Sequence, residues 1–367
     1  MAALRLGLFE LYFSEASDHA VVDGAVELAK GGMRRTGGRR AAGAAGMVNA
    51  VLRRAATERQ ALLESLSDGS PEQAAVAHSV PEWLALLWWQ ELGGEDARSL
   101  LRAVNEPPET AMRVNALRAD PKTLRSELEA AGEQIAGQKG NGDLLHPPEA
   151  LVWDGPLGEA ARRALGEGRM FAQSRGAQAV VGVLSPEAGE SVLDLCAGPG
   201  VKTVAIAARM DGEGEVVAVE RDPARARQIS ELTQRAGAQN VRVVVADAAS
   251  GAGGDHGQGY DRVLVDPPCS GLGTLASRPD ARWRKDPDSI ERLARTQASI
   301  LGSGIAATRP GGTLVYATCT VSEAENEVIV ADALRAHKDV ECVRRLETRP
   351  DRDATDGFYI AELRKAA

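Results

Sequence analysis

The chain has 367 residues and a net charge of −9 at pH 7, and it is 44% hydrophobic and 26% charged. This composition is typical of a folded protein with two or three domains. The acidic balance argues against a uniformly basic nucleic-acid-binding surface, while leaving room for a local basic patch. No apolar run reaches the ~20 residues that cross a bilayer, and the amino terminus has no cleavable signal. We therefore expect a cytoplasmic protein without a membrane partner.

Residues 1–67 are rich in alanine and have helical periodicity. Apolar residues form three stripes, namely Leu4, Leu8, Leu11 and Tyr12, then Val22, Val26 and Ala29, then Val48, Val51 and Leu52. The Gly/Arg stretch 31–46 is predicted to be a loop that leads into a basic helix start. This stretch contains a basic cluster, made of Arg34, Arg35, Arg39 and Arg40. The cluster is either an RNA contact or a solvated surface.

Residues 71–170 mix helices with short strands, after a boundary signal at residues 68–71 (DGSP). The pattern predicts a strand over 111–115 and helices over 72–76, 81–92 and 121–131. Asp120 is predicted to cap the last of these helices. Residues 132–148 are turn-like, and the whole stretch is predicted to be a small α+β domain.

From residue 171 strands and helices alternate. The pattern predicts strands over 191–195, 215–219, 241–246, 262–265 and 313–317. Predicted helices cover 174–184, 201–209, 223–236, 287–307 and 323–336. Such alternation predicts an α/β domain with a mainly parallel, doubly wound sheet. In such sheets, ligands bind at the carboxyl ends of the strands.

The stretch 192–203, VLDLCAGPGVKT, has the strand–turn–helix pattern of a nucleotide-binding domain. Gly198 and Gly200 allow close approach of the backbone to a ligand, and the helix that follows offers free N–H groups. Glu220, about 20 residues later, is placed to accept hydrogen bonds from a ribose diol. Asp247, after the third strand, suits either an adenine amine or a turn. These residues indicate an adenosine-type cofactor without separating NAD from S-adenosylmethionine.

Two further motifs end strands with a cysteine. They are residues 261–273, DRVLVDPPCSGLG, and residues 309–326, RPGGTLVYATCTVSEAEN. The double proline holds Asp266 and Cys269 rigidly past the strand end, and Cys319 is predicted to face the same crevice. An aspartate can bond a base edge, and a thiolate is a strong nucleophile. An NAD-dependent dehydrogenase has no evident use for these motifs.

The four cysteines have no metal-site spacing, so neither zinc nor a disulfide framework is expected.

Taken together, these motifs resemble the RNA (cytosine-5) methyltransferases of the Sun (Fmu) group over about residues 81–363. The most specific parts are DLCAGPGVKT, VDPPCSGLGT with RPDARWR, and LVYATCTVSEAENE. The resemblance implies a Rossmann-like, S-adenosylmethionine-dependent methyltransferase domain. It also implies cofactor contacts from Glu220, Asp247, Asp266 and a loop made of Cys196, Ala197, Gly198, Pro199, Gly200, Val201 and Lys202.

For catalysis, the resemblance implies that Cys319 is the nucleophile and that Cys269 helps to release the product. Asp266 would hold the target base. The chain departs from the family at Val201, where a glycine is usual. It also departs at residues 173–178, which lack a usual acidic residue, so those six positions receive no predicted role. The tail 356–363 is similar to the family's closing strand.

The amino-terminal segment is similar to the later helices of the NusB-like RNA-binding domain that precedes the bacterial 16S rRNA member of the family. The similar parts are FELYF, DHAVVDGAVELAK and MVNAVLRR, and the usual opening helices are missing. We thus predict a NusB-like segment over 1–67, a small α+β RNA-recognition domain over 71–170 and a catalytic domain over 171–367. The expected protein is a monomer that methylates C5 of a cytosine in 16S rRNA.

Three alternatives stay open beside this prediction. One is a tRNA cytosine-5 methyltransferase. A second is a methyltransferase acting on an exocyclic amine, although such enzymes typically carry an aromatic residue where this chain has Cys269. The third is a catalytically idle RNA-binding assembly factor, against which the presence of both cysteines and all three cofactor acids argues.

Overall fold

The computed structural model describes residues 1–32, 38–137, 143–250 and 259–367. These residues form two compact units, Met1–Ala77 and His78–Ala367. Arg34 and Arg35, together with the side chains of Arg39 and Arg40, lie outside the described part, so the predicted basic cluster does too. None of the described helices combines the length and apolar character needed to span a bilayer.

The first unit is helical, as predicted. Its helices are α1 (Ala2–Phe13), α2 (Asp18–Gly32), α3 (Gly38–Ser65) and α4 (Pro71–Ala77). Apolar residues of α1, α2 and α3 form one core that includes Leu11, Val22 and Leu52. Two details of the prediction were wrong. Helix α3 begins at Gly38, inside the predicted loop, and Val51 is exposed while Ala55 fills the core position one turn later.

The second unit begins with helices α5 (Glu82–Leu92) and α6 (Gly94–Ala103), the latter of which the pattern did not predict. A three-stranded antiparallel sheet follows, in the order β2–β1–β3. Its strands are β1 (Thr110–Val114), β2 (Ala150–Trp153) and β3 (Met170–Ala172), and its helices are α7 (Pro121–Ala130) and α8 (Glu159–Gly166). The predicted cap is present, because Asp120 accepts a 2.8 Å hydrogen bond from the backbone N–H of Thr123.

The remainder forms a seven-stranded sheet in the order β6–β5–β4–β7–β8–β10–β9. Its strands are β4 (Ser191–Asp194), β5 (Glu215–Glu220), β6 (Val241–Val245), β7 (Tyr260–Val265), β8 (Thr308–Thr318), β9 (Val340–Thr348) and β10 (Phe358–Lys365). Strands β4 to β8 pair in parallel, whereas β10 runs antiparallel to β8 and β9. The predicted mainly parallel, doubly wound sheet is confirmed.

Helices cover this sheet, and three of them have the predicted bounds. The helices are α9 (Arg175–Leu184), α10 (Val201–Arg209), α11 (Pro223–Ala236), α12 (Pro287–Ala307), α13 (Glu327–Ala336) and the short α14 (Pro350–Asp353). The prediction of one helix over 323–336 was wrong, because residues 323–325 form a 3₁₀ turn and Asn326 has φ −116° and ψ −96°. The Asn326 side chain bonds the Thr318 hydroxyl at 2.5 Å and the Thr320 carbonyl at 3.1 Å, and these contacts hold it outside the helix.

The carboxyl ends of the central parallel strands form the edge on which the candidate site lies. Apolar side chains are fully buried on both faces of the sheet, with Leu193, Val217 and Val263 on one face and Val192, Val216 and Leu264 on the other. Each such burial contributes roughly 1.5–3 kcal/mol, so the strand ends are held on a rigid support. Cys196, Glu220, Asp266 and Cys319 all follow or end these strands at that edge.

Candidate active site

The glycine turn after β4 packs against a carboxylate. A Cβ atom on Gly198 would lie 2.2 Å from Oε2 of Glu220, so a larger residue here would displace this carboxylate. Gly200 has φ +100° and precedes α10 directly. Glu220 is buried, and its Oε1 accepts a 2.9 Å hydrogen bond from the backbone N–H of Asp222. The turn and the end of β5 therefore form one wall of the site.

Asp247 lies at the margin of this wall. It comes two residues after β6, and the neighbouring Ala246 donates a backbone hydrogen bond to the carbonyl of Glu220. One Asp247 oxygen accepts the backbone N–H of Ala249 at 2.9 Å. The turn role that the sequence left open is therefore present, beside the end of β5.

The first turn of α10 is joined to the loop after β7 by an ion pair. The Lys202 ammonium lies 2.7 Å from Oδ2 of Asp266. Burial favours the neutral amine of Lys202, but the Asp266 carboxylate outweighs burial and raises the pKa of Lys202. Beneath this pair, Asp194 is fully buried and accepts a 2.8 Å hydrogen bond from the Thr203 hydroxyl. Burial raises the pKa of Asp194 to about 7.

The two predicted site cysteines are in contact. Their sulfur atoms lie 3.3 Å apart, although Cys269 and Cys319 are 50 positions apart in the chain. The pKa values of the two thiols shift in opposite directions. A hydrogen bond from Cys269 lowers the pKa of Cys319; burial and the Asp266 carboxylate oppose this effect, and the charges of Lys202 and Arg278 support it. The pKa of Cys269 is raised by the same hydrogen bond, by burial and by the nearby carboxylate of Glu325.

Of the remaining cysteines, one lies in the glycine turn and the other lies away from it. Burial raises the pKa of Cys196, and the carboxylates of Asp266, Asp194 and Glu220 add to that effect. Cys196 is therefore a thiol that lines the turn. Cys342 lies on β9, at the edge of the sheet. The charge pattern thus favours a thiolate at Cys319.

A buried network ties the two cysteine loops together, and sequence reasoning missed it. Glu325 is fully buried and accepts 2.8 Å hydrogen bonds from the backbone N–H of Ser270 and from the Gln297 amide. The Ser270 hydroxyl also bonds Glu325 and lies 2.6 Å from the Thr320 hydroxyl. Ser270 follows Cys269, and Thr320 follows Cys319. The acidic residues in VSEAENE were the only signal in the sequence that pointed to this network.

The two departures from the family pattern have structural explanations. Val201 begins α10, where the backbone is helical and needs no glycine. In the segment 173–178, Gln173 accepts a 2.7 Å hydrogen bond from buried Arg113. Gln178 donates to the carbonyls of Gln173 and Met112. This segment therefore links the small sheet to α9 through buried hydrogen bonds.

The structure thus brings Cys269, Cys319, Asp266 and Lys202 together, with the glycine turn and Glu220 alongside. Asp247 stands at the border of the site. Within the described ranges, no group of three or more His, Cys, Asp or Glu side chains is arranged to hold a metal ion.

Comparison with known proteins identifies the family. The model of the 16S rRNA methyltransferase RsmB/F family matches residues 181–364. A ferredoxin-like domain model of RsmF/B-like methyltransferases matches residues 80–143, and the NusB family model matches residues 1–57.

Individual relatives agree with these matches. The chain is 32% identical to a probable ribosomal RNA small subunit methyltransferase B of Bacillus subtilis, over 99% of this chain and 82% of that protein. It is 36% identical to a putative methyltransferase of Mycobacterium tuberculosis, over 99% of this chain and 80% of that protein. A solved methyltransferase homologue from Pyrococcus horikoshii superposes with a TM-score of 0.71 at 25% identity, over 81% of this chain and 99% of that one. The chain is therefore an S-adenosylmethionine-dependent methyltransferase that belongs to the 16S rRNA methyltransferase RsmB/F family.

Proposed function

We propose that this protein methylates C5 of a cytosine in small-subunit rRNA, and that Cys319 forms a transient covalent bond to the base. The observation that carries the proposal is the 3.3 Å contact between Cys319 and Cys269, with basic side chains acting on Cys319 and a carboxylate near Cys269. This asymmetry favours the thiolate at Cys319 over that at Cys269, as a nucleophile and its helper require.

The glycine turn and its neighbours suit S-adenosylmethionine. The absence of a Cβ on Gly198 lets the Glu220 carboxylate lie directly against the turn, so both can contact one ligand. Glu220 has the carboxylate oxygens that a ribose diol needs as acceptors. We assign the adenosine part to Glu220 and Asp247, and the amino-acid part to residues 196–202 and Asp266. When bound, S-adenosylmethionine supplies the methyl group.

The chemistry of the base begins at Cys319. C5 of cytosine is a poor nucleophile, and attack of the Cys319 thiolate on C6 converts C5 into an enamine-like carbon. The sulfur–C6 bond forms as the electron pair of the C5–C6 double bond moves toward C5 and the ring. Asp266, paired with Lys202, accepts a hydrogen bond from the exocyclic amine and holds the ring edge.

Product release reverses the covalent step. Once C5 carries the methyl group, its proton passes to water, and the C5–H electron pair restores the C5–C6 double bond as the sulfur–C6 bond breaks. Cys319 leaves with the electron pair of that bond, as a thiolate again. Cys269 assists at this stage, since its sulfur already lies within hydrogen-bond reach of Cys319. The target base must be unpaired or flipped out of a helix to reach this site.

The assignment to small-subunit rRNA is supported by the family match and by the Bacillus subtilis relative. The amino-terminal unit would add RNA affinity, which is an expectation from its NusB match over residues 1–57. Bisulfite sequencing of rRNA and tRNA from cells with and without the gene tests the substrate. Cells without the gene are expected to lose a methylated cytosine from 16S rRNA. If they lose one only from tRNA, the substrate is tRNA and the assignment to rRNA is wrong.

The roles of the two cysteines are tested with a denaturing gel of labelled RNA, enzyme and S-adenosylmethionine. Cys319→Ala should abolish turnover and leave no covalent adduct. Cys269→Ala should lose turnover but retain RNA on the enzyme through Cys319, and the double variant should show no adduct. Cys342→Ala is the matched control and should behave as wild type. An adduct in Cys319→Ala would reverse the roles, and full activity of both single variants would refute covalent catalysis.

A further inference from the structure

Trp283 is a bulky aromatic side chain left in water. It is 61% exposed, while every other Trp, Tyr and Phe among the described residues of the His78–Ala367 unit is buried or half-buried. A single exposed apolar residue needs no explanation by itself. Trp283, however, is carried by an anchored backbone segment and is flanked by basic side chains, and these two features together suggest a binding role.

The residue before Trp283 is a buried anchor. Arg282 is 3% exposed, and its guanidinium donates to the Asn105 side chain at 2.9 Å, the Val104 carbonyl at 3.0 Å and the Ser79 carbonyl at 3.2 Å. These bonds fix the short 3₁₀ segment Pro279–Trp283 against the helical region that precedes β1. The indole ring is therefore presented to solvent from a backbone that is already ordered, which reduces the entropy lost on binding.

The anchored segment extends from the cysteine loops. The backbone N–H of Gly273 donates a 3.1 Å hydrogen bond to the carbonyl of Cys319. Farther along, the charge of Arg278 acts on Cys319. Trp283 follows Arg278 by five residues, which span at most about 18 Å even when fully extended. The exposed ring thus belongs to the surroundings of the proposed nucleophile.

The charge of this segment is opposite to that of the whole chain. Residues 278–286, RPDARWRKD, carry four basic and two acidic side chains, whereas the chain has a net charge of −9. Arg278 and Arg284 are exposed, and Arg284 forms a surface ion pair with Asp280, which a phosphate would replace. An aromatic ring flanked by basic side chains is the arrangement that binds single-stranded nucleic acid, through base stacking and phosphate contacts together.

We propose that Trp283 is a stacking subsite for an unpaired base that flanks the target cytosine, with Arg284 contacting the adjacent phosphate. The subsite rests on the proposed function, because it is defined relative to the cytosine held near Cys319. It holds the RNA strand in register while the target base occupies the crevice.

The test is a binding measurement that involves no methyl transfer. The probe is an unstructured RNA of about 12 nucleotides, within the span of known single-strand sites, with one cytosine at its centre. Matched probes each carry a single abasic position. Trp283→Ala and Trp283→Leu should weaken binding about tenfold, while Trp283→Phe, which keeps a ring, should weaken it much less. Val343→Ala, a truncation at another exposed apolar position, should bind as wild type.

The abasic probes separate stacking from a general effect of the substitution. One flanking abasic position should weaken wild-type binding by about the same factor and should weaken Trp283→Ala no further. The salt dependence should stay unchanged in Trp283→Ala and become shallower in Arg284→Gln. Equal losses for both proteins at every abasic position, or a Phe variant as weak as the Ala variant, would overturn the subsite. Failure of the proposed function would appear separately, as a missing covalent adduct in the cysteine experiment.

Discussion

The Lys202 ammonium lies 2.7 Å from the Asp266 carboxylate, and this ion pair joins the glycine-turn side of the site to the loop 266–269 that follows β7. Lys202 comes from the first turn of α10, and Asp266 follows β7. The charge of Lys202 also acts on Cys319. One side chain therefore links the region assigned to the cofactor, the residue assigned to the base and the proposed nucleophile.

Replacing Lys202 should raise the pKa of Cys319. The ammonium stabilises the thiolate, so Lys202→Met should move the pH dependence of Cys319 alkylation upward by about one pH unit, while Lys202→Arg should move it less. The rate of iodoacetamide labelling at the Cys319 peptide, followed by mass spectrometry across pH, measures this. Lys338→Met removes an exposed cation elsewhere and should leave the profile in place. An unchanged profile in Lys202→Met would show that the ammonium does not tune this thiol.

Removing the buried Glu325 carboxylate should destabilise the fold. Glu325→Ala leaves the Ser270 N–H and the Gln297 amide without their charged acceptor, which should lower the free energy of unfolding by more than ~2 kcal/mol. Urea denaturation measures this, and Glu323→Ala, at an exposed position two residues earlier, should change it by less than ~0.5 kcal/mol. Similar losses in the two variants would contradict the network as the source of stability.

Glu220 should contribute to binding of S-adenosylmethionine. Glu220→Gln removes a charged acceptor and should weaken binding by at least ~1 kcal/mol, or about fivefold. Isothermal titration calorimetry provides the measurement. Glu215→Gln changes the same residue type at the opposite, exposed end of β5 and is the matched control. Unchanged affinity in Glu220→Gln would remove this residue from the cofactor site.

Asp194 should make stability depend on pH. Burial raises its pKa from 3.8 to about 7 in the folded state. Between about pH 4 and pH 7, the folded protein therefore keeps a proton on Asp194 that the unfolded chain has released. The stability that this group contributes is present below about pH 4 and is lost as the pH rises to 7. Asp194→Asn escapes the loss, so its stability relative to wild type should increase over that range, by up to about 4 kcal/mol.

Asp261 supplies a control of opposite sign. The backbone N–H of Ser191 donates to it and lowers its pKa, so its contribution is present at neutral pH and is lost on acidification. The free energy of unfolding of Asp261→Asn should therefore lie furthest below that of wild type near pH 7. Denaturant unfolding at several pH values compares the two variants. A pH-independent difference between Asp194→Asn and wild type would mean that Asp194 does not titrate in this window.

Local chemistry was readable from the sequence where it depends on neighbours in the chain. Helix α11 has the predicted bounds because Asp222 caps it, Pro223 starts it and Gly237 ends it in the left-handed conformation. The strand–turn–helix at residues 192–203 and the capped start of α7 follow from the same short-range rules. Short apolar runs likewise predicted the central parallel strands, because strands such as β4 and β5 are buried on both faces.

The tertiary structure alone decided which of these pieces meet. The contact between Cys269 and Cys319 joins residues 50 positions apart, and it depends on the adjacent pairing of β7 and β8 in the sheet. The Glu325 network exists because Ser270, Gln297 and Thr320 converge on a fully buried carboxylate, and a buried charge requires such partners. The sequence by itself determined the residue types and the local elements. Packing of distant segments determined the distances and local charges that distinguish Cys319 from the other thiols, because burial and long-range contacts control both.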